Sequence, residues 1–167
     1  MKKLIALLLT LILLAGCSVS PRSSGQTVLY YPAQYDPADP QKLITEVPYK
    51  GVGDTAEDIL ADYFAAVTDP TIVPFPSGVS IHSLKLKEDH ATIVLSDQFA
   101  QLSGVNLTRS CICITRTVSE LTGVSTVTVG CKTELIDGEQ AITFSNSDIL
   151  WIDEGFFTGI TPTTVSK

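Results

Sequence analysis

The chain has 167 residues, with 11 lysines and arginines against 18 aspartates and glutamates, which gives a net charge of −7 at pH 7. An acidic surface repels phosphate, so this composition argues against nucleic-acid binding and against electrostatic adsorption to anionic lipid. The length suits one compact domain with a sizeable core and leaves no room for a second full domain.

The amino terminus has the three parts of a secretory signal. The first three residues are Met-Lys-Lys, an apolar run follows from Leu4 to Leu14, and small residues lead to Cys17. The run is much shorter than the ~20 residues that a membrane-spanning helix requires. Residues 13–17, Leu-Leu-Ala-Gly-Cys, resemble a bacterial lipobox. That resemblance implies cleavage after residue 16 and a lipid on the Cys17 thiol, which anchors the protein in the cell membrane at its extracytoplasmic face.

An ordinary signal peptide cleaved near Gly16, with Cys17 as a spare thiol, is the alternative. In both cases residues 1–16 are the signal peptide, and the mature chain has nine basic and 18 acidic residues, a net charge of −9. Residues 17–26 are predicted to be a flexible tether because Ser, Gly and Pro dominate them. The domain is expected over residues 27–152, with a flexible tail over 153–167.

The first half of the domain predicts one strand, a loop and one helix. Residues 27–31 are β-branched and aromatic, which favours a strand. Prolines predict a long loop over 32–53, with one short strand at 43–47. A helix is predicted over 55–67, because Thr55 can cap it and apolar residues recur at steps of three and four.

The second half predicts a hairpin, a helix and a strand. Residues 79–86 and 91–95 alternate apolar and polar side chains, as a hairpin with one polar face does. A helix is predicted over 108–122, capped by Asn106 or Thr108, and residues 124–131 alternate again.

The end of the domain predicts a small hairpin. Asp137-Gly138 is a turn signal between residues 133–136 and 140–144, and residues 149–152 are expected to return to the fold. Two amphipathic helices cannot bury their apolar stripes alone. The predicted class is therefore α/β of the α+β type, a two-layer sandwich with both helices on one face of a mixed three- to four-stranded sheet, plus a C-terminal β-hairpin.

Three motifs in this order resemble a known family. They are Pro-Phe-Pro-Ser-Gly-Val at 74–79, Val-Leu-Ser at 94–96 with Phe99, and Thr-Val-Ser-Glu-Leu-Thr-Gly-Val at 117–124 followed by Val127 and Val129. They are similar to the GerMN domain of sporulation and spore germination proteins, over about residues 27–129. The resemblance implies a non-catalytic domain with a fold like that of ring-building motifs, which assembles or docks at envelope complexes.

The sequence departs from the family in two places. Asp69-Pro70 stands where the family tends to have Gly-Pro. Asp137-Gly138 comes later than the family's usual closing turn, so residues 132–152 have no family template.

Three cysteines remain beside Cys17. Cys111 and Cys113 lie two apart on the second predicted helix and point in different directions, so they are poorly placed to bridge each other. A disulfide from either of them to Cys131 is one reading. Core packing as free thiols is the other, and it is favoured by how often free cysteine is buried.

The sequence gives little support for a catalytic or metal-binding site. His82 and His90 lie at a polar strand face and in a turn, where neither has an evident partner to orient it as a base. The spacing of the cysteines does not fit a zinc site. Asp54, Glu57, Asp58 and Asp62 lack the pattern of a calcium loop and are expected to form a solvated helix face. No nucleophile elbow surrounds Ser96 or Ser119, and there is no Gly-rich phosphate loop.

Aromatic residues offer a possible partner surface. Tyr30, Tyr31, Tyr49 and Trp151 could form a binding patch or part of the core. Phe75, Phe156 and Phe157 lie in predicted loop or tail segments, where exposed aromatics favour a partner surface.

The sequence therefore predicts a membrane-anchored interaction module and not an enzyme, with no cofactor and no metal. The expected partners are the membrane through the lipid on Cys17, and an envelope protein or a second copy of the chain, with no nucleic acid. A sheet edge and a helix face are the expected docking surfaces. The alternative is a ligand-binding or sensory lipoprotein that contacts peptidoglycan or a sensor kinase ectodomain, through an apolar pocket near Trp151.

Overall fold

The computed structural model describes residues 26–34, 36–39, 42–65 and 69–146. The predicted signal peptide, Cys17, most of the tether, the segment 149–152 and the tail lie outside these ranges. The strands are β1 (Val28–Pro32), β2 (Ile44–Pro48), β3 (Ile81–Lys87), β4 (His90–Leu95), β5 (Thr126–Cys131) and β6 (Ala141–Ser145); the helices are α1 (Ala56–Phe64) and α2 (Gly104–Thr122), with a short 3-10 helix at Asp97–Gln101.

The central sheet has four strands in the order β3-β4-β5-β6. β4 and β5 run parallel, and the two outer pairs are antiparallel. Because side chains alternate across a pleated strand, the register separates an apolar face from a polar one. One row of cross-strand neighbours facing the core is Leu84, Ile93, Val129 and Ile142, and the next row on the opposite face is Lys85, Thr92, Thr128 and Thr143. The predicted mixed sheet with one polar face is confirmed.

α2 is buried on more than one side. Cys111, Ile114 and Val118 pack into the core with the inner face of the sheet. A further side of α2 contacts β1, where the backbone N–H of Tyr30 donates to Thr117 Oγ1 at 3.0 Å. β1 pairs with β2 in a separate two-stranded sheet and lies outside the central sheet. The helix therefore has two β layers to cover it, and Thr117 is fully buried.

α1 has the predicted cap. The backbone N–H of Asp58 donates to Thr55 Oγ1 at 3.1 Å, which satisfies one of the free donors at the helix start. Leu60 and Tyr63 are fully buried against the core, and the helix ends at Phe64. The predicted last turn at residues 66–67 lies outside the described residues.

Two boundaries differ from the sequence prediction. α2 begins at Gly104, so the predicted cap at Asn106 or Thr108 is wrong; Ser103 precedes the helix and makes no side-chain cap bond. The first turn was missed because Val105 is exposed and breaks the apolar period. At the Asp137-Gly138 turn, the described pairing is a single bridge between Ile136 and Glu139, and β6 pairs with β5.

Aspartates link the two parallel strands at both ends. Before β4, Asp89 Oδ1 accepts a hydrogen bond from the backbone N–H of Ser125, which precedes β5, at 2.7 Å. After β4, the Asp97 carboxylate accepts from the hydroxyl and backbone N–H of Thr133, which follows β5, at 2.6 and 2.8 Å. These bonds fix the register of a strand pair that no tight turn can connect.

We expect acid to weaken these links. Hydrogen bonds from Thr133 lower the pKa of Asp97, and bonds from Ser125 lower the pKa of Asp89. A carboxyl whose pKa falls on folding stabilises the fold above its unfolded pKa, and that stability is lost as the pH falls through the folded pKa. The Asp89→Asn/Asp97→Asn variant should have a lower Tm at pH 7 and a smaller loss of Tm between pH 5 and pH 3 than the wild type, by calorimetry. Parallel Tm curves for the two proteins would show that these carboxylates contribute nothing.

Candidate functional site

β3 is an edge strand. Among the described strands it pairs only with β4, so every second residue turns its N–H and C=O away from the sheet. The register shifts between Ile81 and Ser83, which makes His82 the extra residue of a bulge. On its free side, β3 can therefore pair regularly with another strand from Ser83 to Lys87.

A groove lies between α1 and the first part of β3, and it meets the free edge at Ser83 and Leu84. It encloses about 430 Å³; its lining residues, which define the α1–β3 groove, are Glu57, Ala61, Phe64 and Ala65 on the helix side, and Val79, Ser80, Ile81, His82, Ser83 and Leu84 on the strand side. Glu57, Ala61 and Phe64 lie at steps of four and three, so they share one face of α1. The neighbouring face, with Leu60 and Tyr63, is buried in the core, and this burial aims the first face at the strand.

A second cavity adjoins the α1–β3 groove at Phe64 and Ala65, which line both. It encloses about 390 Å³ and its other lining residues are Tyr31, Pro74, Phe75, Pro76, Ser77 and Gly78. The Phe64 and Phe75 ring centroids lie 5.0 Å apart, in contact distance for aromatic side chains. The two cavities therefore adjoin along the side of the domain.

Ser96, which directly follows β4, holds the loop of the Pro-Phe-Pro-Ser-Gly motif by two hydrogen bonds. Ser96 Oγ donates to the Gly78 carbonyl and accepts from the Ser80 backbone N–H, both at 3.1 Å. Gly78 has a φ of 85°, a left-handed conformation that glycine adopts without strain. The motif therefore fixes the chain that enters β3 and lines the second cavity.

The polar face of β3 is basic, whereas the α1 side of the groove carries the carboxylate of Glu57. Lys85 and Lys87 are exposed, and their cross-strand neighbours on β4 are Thr92 and His90. Among the described residues neither lysine has a carboxylate partner. Beside them on the inner side of the strand, Leu86 is 55% exposed, because there is no strand beyond β3 in the described sheet to cover it.

The aromatic residues predicted as a patch separate in the structure. Tyr31 is 3% exposed in the core, where burial raises the pKa of its hydroxyl. Tyr30 lies under the Arg116 guanidinium at 5.7 Å, and the Tyr49 hydroxyl donates to Asp62 at 2.6 Å. Of the loop aromatics, Phe75 is half-buried and lines the second cavity. The predicted Trp151, Phe156 and Phe157 lie outside the described residues.

The titratable candidates are dispersed. His82 is exposed, and His90 Nε2 lies 3.1 Å from Thr128 Oγ1 on the polar sheet face. In the predicted acidic cluster of Asp54, Glu57, Asp58 and Asp62, Asp58 accepts from the Thr55 hydroxyl and Asp62 from Tyr49. Within the described ranges, no three such side chains come close enough together to hold a metal ion. The same part of the chain contains no helix of the length and hydropathy needed to cross a membrane.

The three cysteines outside the signal region are free thiols. Cys111 and Cys113 are buried, and burial raises the pKa of Cys111 to about 12. Cys131, at the end of β5, is partly exposed, and partial burial raises its pKa less. The structure therefore has the core-packing arrangement and no disulfide among these residues.

We expect the thiols to react in order of exposure. Because the thiolate is the nucleophile, N-ethylmaleimide should label Cys131 of the native protein first and should leave Cys111 and Cys113 unmodified until denaturant is added. Mass spectrometry of the digested protein gives the extent of labelling at each site. Labelling of Cys111 as fast as Cys131 would contradict the described core. Thiols that react in denaturant only after reduction would indicate a disulfide.

The groove-lining residues were not identified from the sequence. Phe64 was predicted to lie on the apolar face of the first helix, Ala61 was not singled out, and of the residues that line the two cavities Phe75 was the one named as a loop aromatic. A local signal did exist, because Leu86 alternates with two lysines at the end of β3, a composition typical of an edge strand. The pairing of α1 with that edge is a long-range contact that periodicity does not report.

The fold is that of a GerMN domain. The first GerMN domain of the sporulation protein GerM from Bacillus subtilis superposes on 70% of this chain and 92% of its own length, with a TM-score of 0.50 and 12% identity. A candidate lipoprotein from Clostridium perfringens covers 72% of this chain and 87% of its own, at 19% identity, with a TM-score of 0.44 that is too low to support an argument. No protein-family model and no curated protein sequence matches the chain significantly.

Proposed function

We propose that this protein is a lipid-anchored extracytoplasmic lipoprotein whose GerMN-like domain is a non-catalytic protein-interaction module in sporulation or spore germination. The observation that carries the interaction role is the α1–β3 groove, an apolar depression beside a strand edge that no other described strand covers. An edge strand with a neighbouring groove is a recurrent way to bind an extended peptide, because the backbone gives affinity and the groove takes side chains.

The anchoring part of the proposal is supported by the amino-terminal sequence. A basic start, a short apolar run and the lipobox-like residues 13–17 place Cys17 at the expected acylation position. The domain's acidic composition gives it no electrostatic attraction to anionic lipid, so a covalent lipid is the means of attachment that the sequence offers.

The non-catalytic part is supported by the dispersal of the reactive groups. A general base needs a partner that orients it and a substrate position within hydrogen-bond reach. Among the described residues, neither His82 nor His90 contacts a carboxylate; Glu57 and His82 both line the α1–β3 groove, but no hydrogen bond or ion pair joins them to orient a base. A GerMN fold shared with a sporulation protein supports the cellular setting.

Metabolic labelling tests the anchor. Cells that express the wild type with radiolabelled palmitate should yield labelled protein in the membrane fraction, and Cys17→Ala should be unlabelled and leave that fraction. Cys131→Ala, a matched cysteine variant in the mature domain, should behave as the wild type. An unlabelled wild type, or a labelled Cys17→Ala protein, would overturn the anchoring proposal.

Genetic complementation tests the role. In a spore-forming host that carries this gene, deletion should lower the yield of spores or of germinated spores, and the wild type should restore it. Cys17→Ala should not restore the yield, because the domain loses its lipid anchor and is no longer held at the membrane beside its partner. Normal sporulation and germination in the deletion strain would overturn the proposed setting.

A further inference from the structure

We infer that the α1–β3 groove binds an extended segment of a partner protein whose side chains alternate between apolar and acidic, and that this segment adds to the sheet as a strand beside β3. The inference rests on the proposed interaction function and specifies the chemistry of the partner.

The backbone of β3 supplies the first requirement. Its outer N–H and C=O groups have no partner among the described residues, and the regular stretch after the bulge runs from Ser83 to Lys87. Five residues of edge are the length of an average strand. An incoming segment can therefore pair with this stretch and stop where the bulge at His82 turns the edge away.

The pleat of β3 supplies the second requirement, an alternating pattern. Leu84 and Leu86 share the face of the core-packed β4 residues Ile93 and Ala91, whereas Lys85 lies in register with Thr92 on the polar face. A neighbouring strand must alternate in the same way. Of its inward side chains, one beside Leu86 would cover that 55%-exposed residue, and one beside Leu84, where the groove lining ends, would enter the apolar groove.

Charge selects what the outward side chains should be. Lys85 and Lys87 lie on the polar face without a carboxylate partner among the described residues, whereas Glu57, which lines the groove, lies on the α1 side. Carboxylates on the added strand would stand beside them as cross-strand pairs of opposite charge, which stabilise a sheet. An apolar or basic segment would leave the lysines unpaired or repelled.

The same lysines disfavour a second copy of the chain at this edge. A two-fold pairing of β3 with β3 centred on its charged half would put lysines beside lysines, and like charges across strands are destabilising. Lysines and bulges are the devices by which edge strands avoid pairing with one another. A separate acidic segment relieves that repulsion, so a partner protein fits the edge better than self-association.

Peptide binding to the full-length lipidated protein in neutral detergent micelles tests the inference. The probe is a nine-residue peptide that alternates Val and Glu, and its matched control alternates Val and Lys. We expect the Val/Glu peptide to bind at least about tenfold more tightly, the difference that two or three favourable pairs against as many repulsive pairs would give. A Val/Glu peptide N-methylated at every residue should not bind, because none of its backbone nitrogens can donate to the edge.

Charge reversal gives the sharper result. Lys85 and Lys87 are exposed, so Lys85→Glu/Lys87→Glu should fold normally and should prefer the Val/Lys peptide. Equal affinity for the two peptides, tight binding of the N-methylated peptide, or an unchanged preference in the variant would overturn the inference. So would failure of the Val/Glu peptide to bind, or a wild-type dimer that the charge reversal alters. A protein that is palmitoylated and active in complementation but fails this test would leave the proposed function in place and reject this site alone.

Discussion

Replacing Phe99 by alanine is expected to lower the free energy of unfolding by about 3–5 kcal/mol. Phe99 lies in the 3-10 helix that follows β4, is fully buried, and belongs to the core cluster between the sheet and α2. Its removal takes a large apolar surface from the core and leaves a cavity that the packed neighbours fill only in part. Urea unfolding followed by circular dichroism measures the loss.

Val105→Ala is the matched control for Phe99→Ala. Val105 is 59% exposed at the start of α2, so its truncation should change the free energy of unfolding by no more than about 0.5 kcal/mol. If Phe99→Ala were as stable as Val105→Ala, Phe99 would not occupy the core position that the structure gives it.

Replacing Tyr63 by phenylalanine is expected to cost about 1–3 kcal/mol, although it removes a single oxygen atom. The Tyr63 hydroxyl donates to the Tyr30 carbonyl at 2.7 Å, and this bond joins α1 to β1. Tyr63 is fully buried, and burial raises the pKa of its hydroxyl well above the usual value. The phenylalanine variant leaves the Tyr30 carbonyl without this donor. A buried acceptor with no partner costs the desolvation free energy of that group, which is larger than the net free energy of an average hydrogen bond.

Tyr49→Phe is the control for Tyr63→Phe. The Tyr49 hydroxyl also bonds across elements, to Asp62 on α1, but it does so at the surface, where water can replace the lost partner. Urea unfolding should therefore show a clearly larger loss for Tyr63→Phe than for Tyr49→Phe. Equal losses would mean that the Tyr63 hydroxyl is not isolated from solvent.

Local patterns predicted the secondary structure and the class of fold. The cap at Thr55, the two-residue alternation of β3, β4 and β5 and the glycine after α2 are each set by neighbours within a few residues, so the sequence shows them directly. The predicted mixed sheet is also confirmed, with four strands. It could be predicted because two amphipathic helices need one apolar sheet face to cover them.

Long-range arrangement escaped prediction. Thr117 looks polar in the sequence but is fully buried, because the edge of β1 lies against it and supplies a backbone donor from 87 residues away. Leu86 looks like a core residue but is 55% exposed, because β3 is the last strand on that side of the sheet among the described residues. Periodicity assigns a face to each side chain, but which strand lies at an edge is decided by the order of strands in space.

The candidate site could be predicted only in part, because its two sides are local features but their proximity is a long-range one. A helix face at Glu57, Ala61 and Phe64 and the strand residues Ile81 to Leu84 are separate in the sequence, and only the packing of α1 on the core brings them to the two sides of one groove. The sequence predicted that a helix face and a sheet edge would dock a partner. The structure places a helix face and a sheet edge side by side, which is the reason to propose one docking site.

Site-specific photo-crosslinking in intact cells tests the proposed interaction role most directly. A benzophenone amino acid at His82, beside the groove, is compared with the same amino acid at Val105, which is exposed on α2, in the otherwise unchanged full-length chain. We expect a discrete protein adduct from position 82, none from position 105, and loss of the adduct in Lys85→Glu/Lys87→Glu. No adduct from position 82, or equal adducts from both positions, would contradict it.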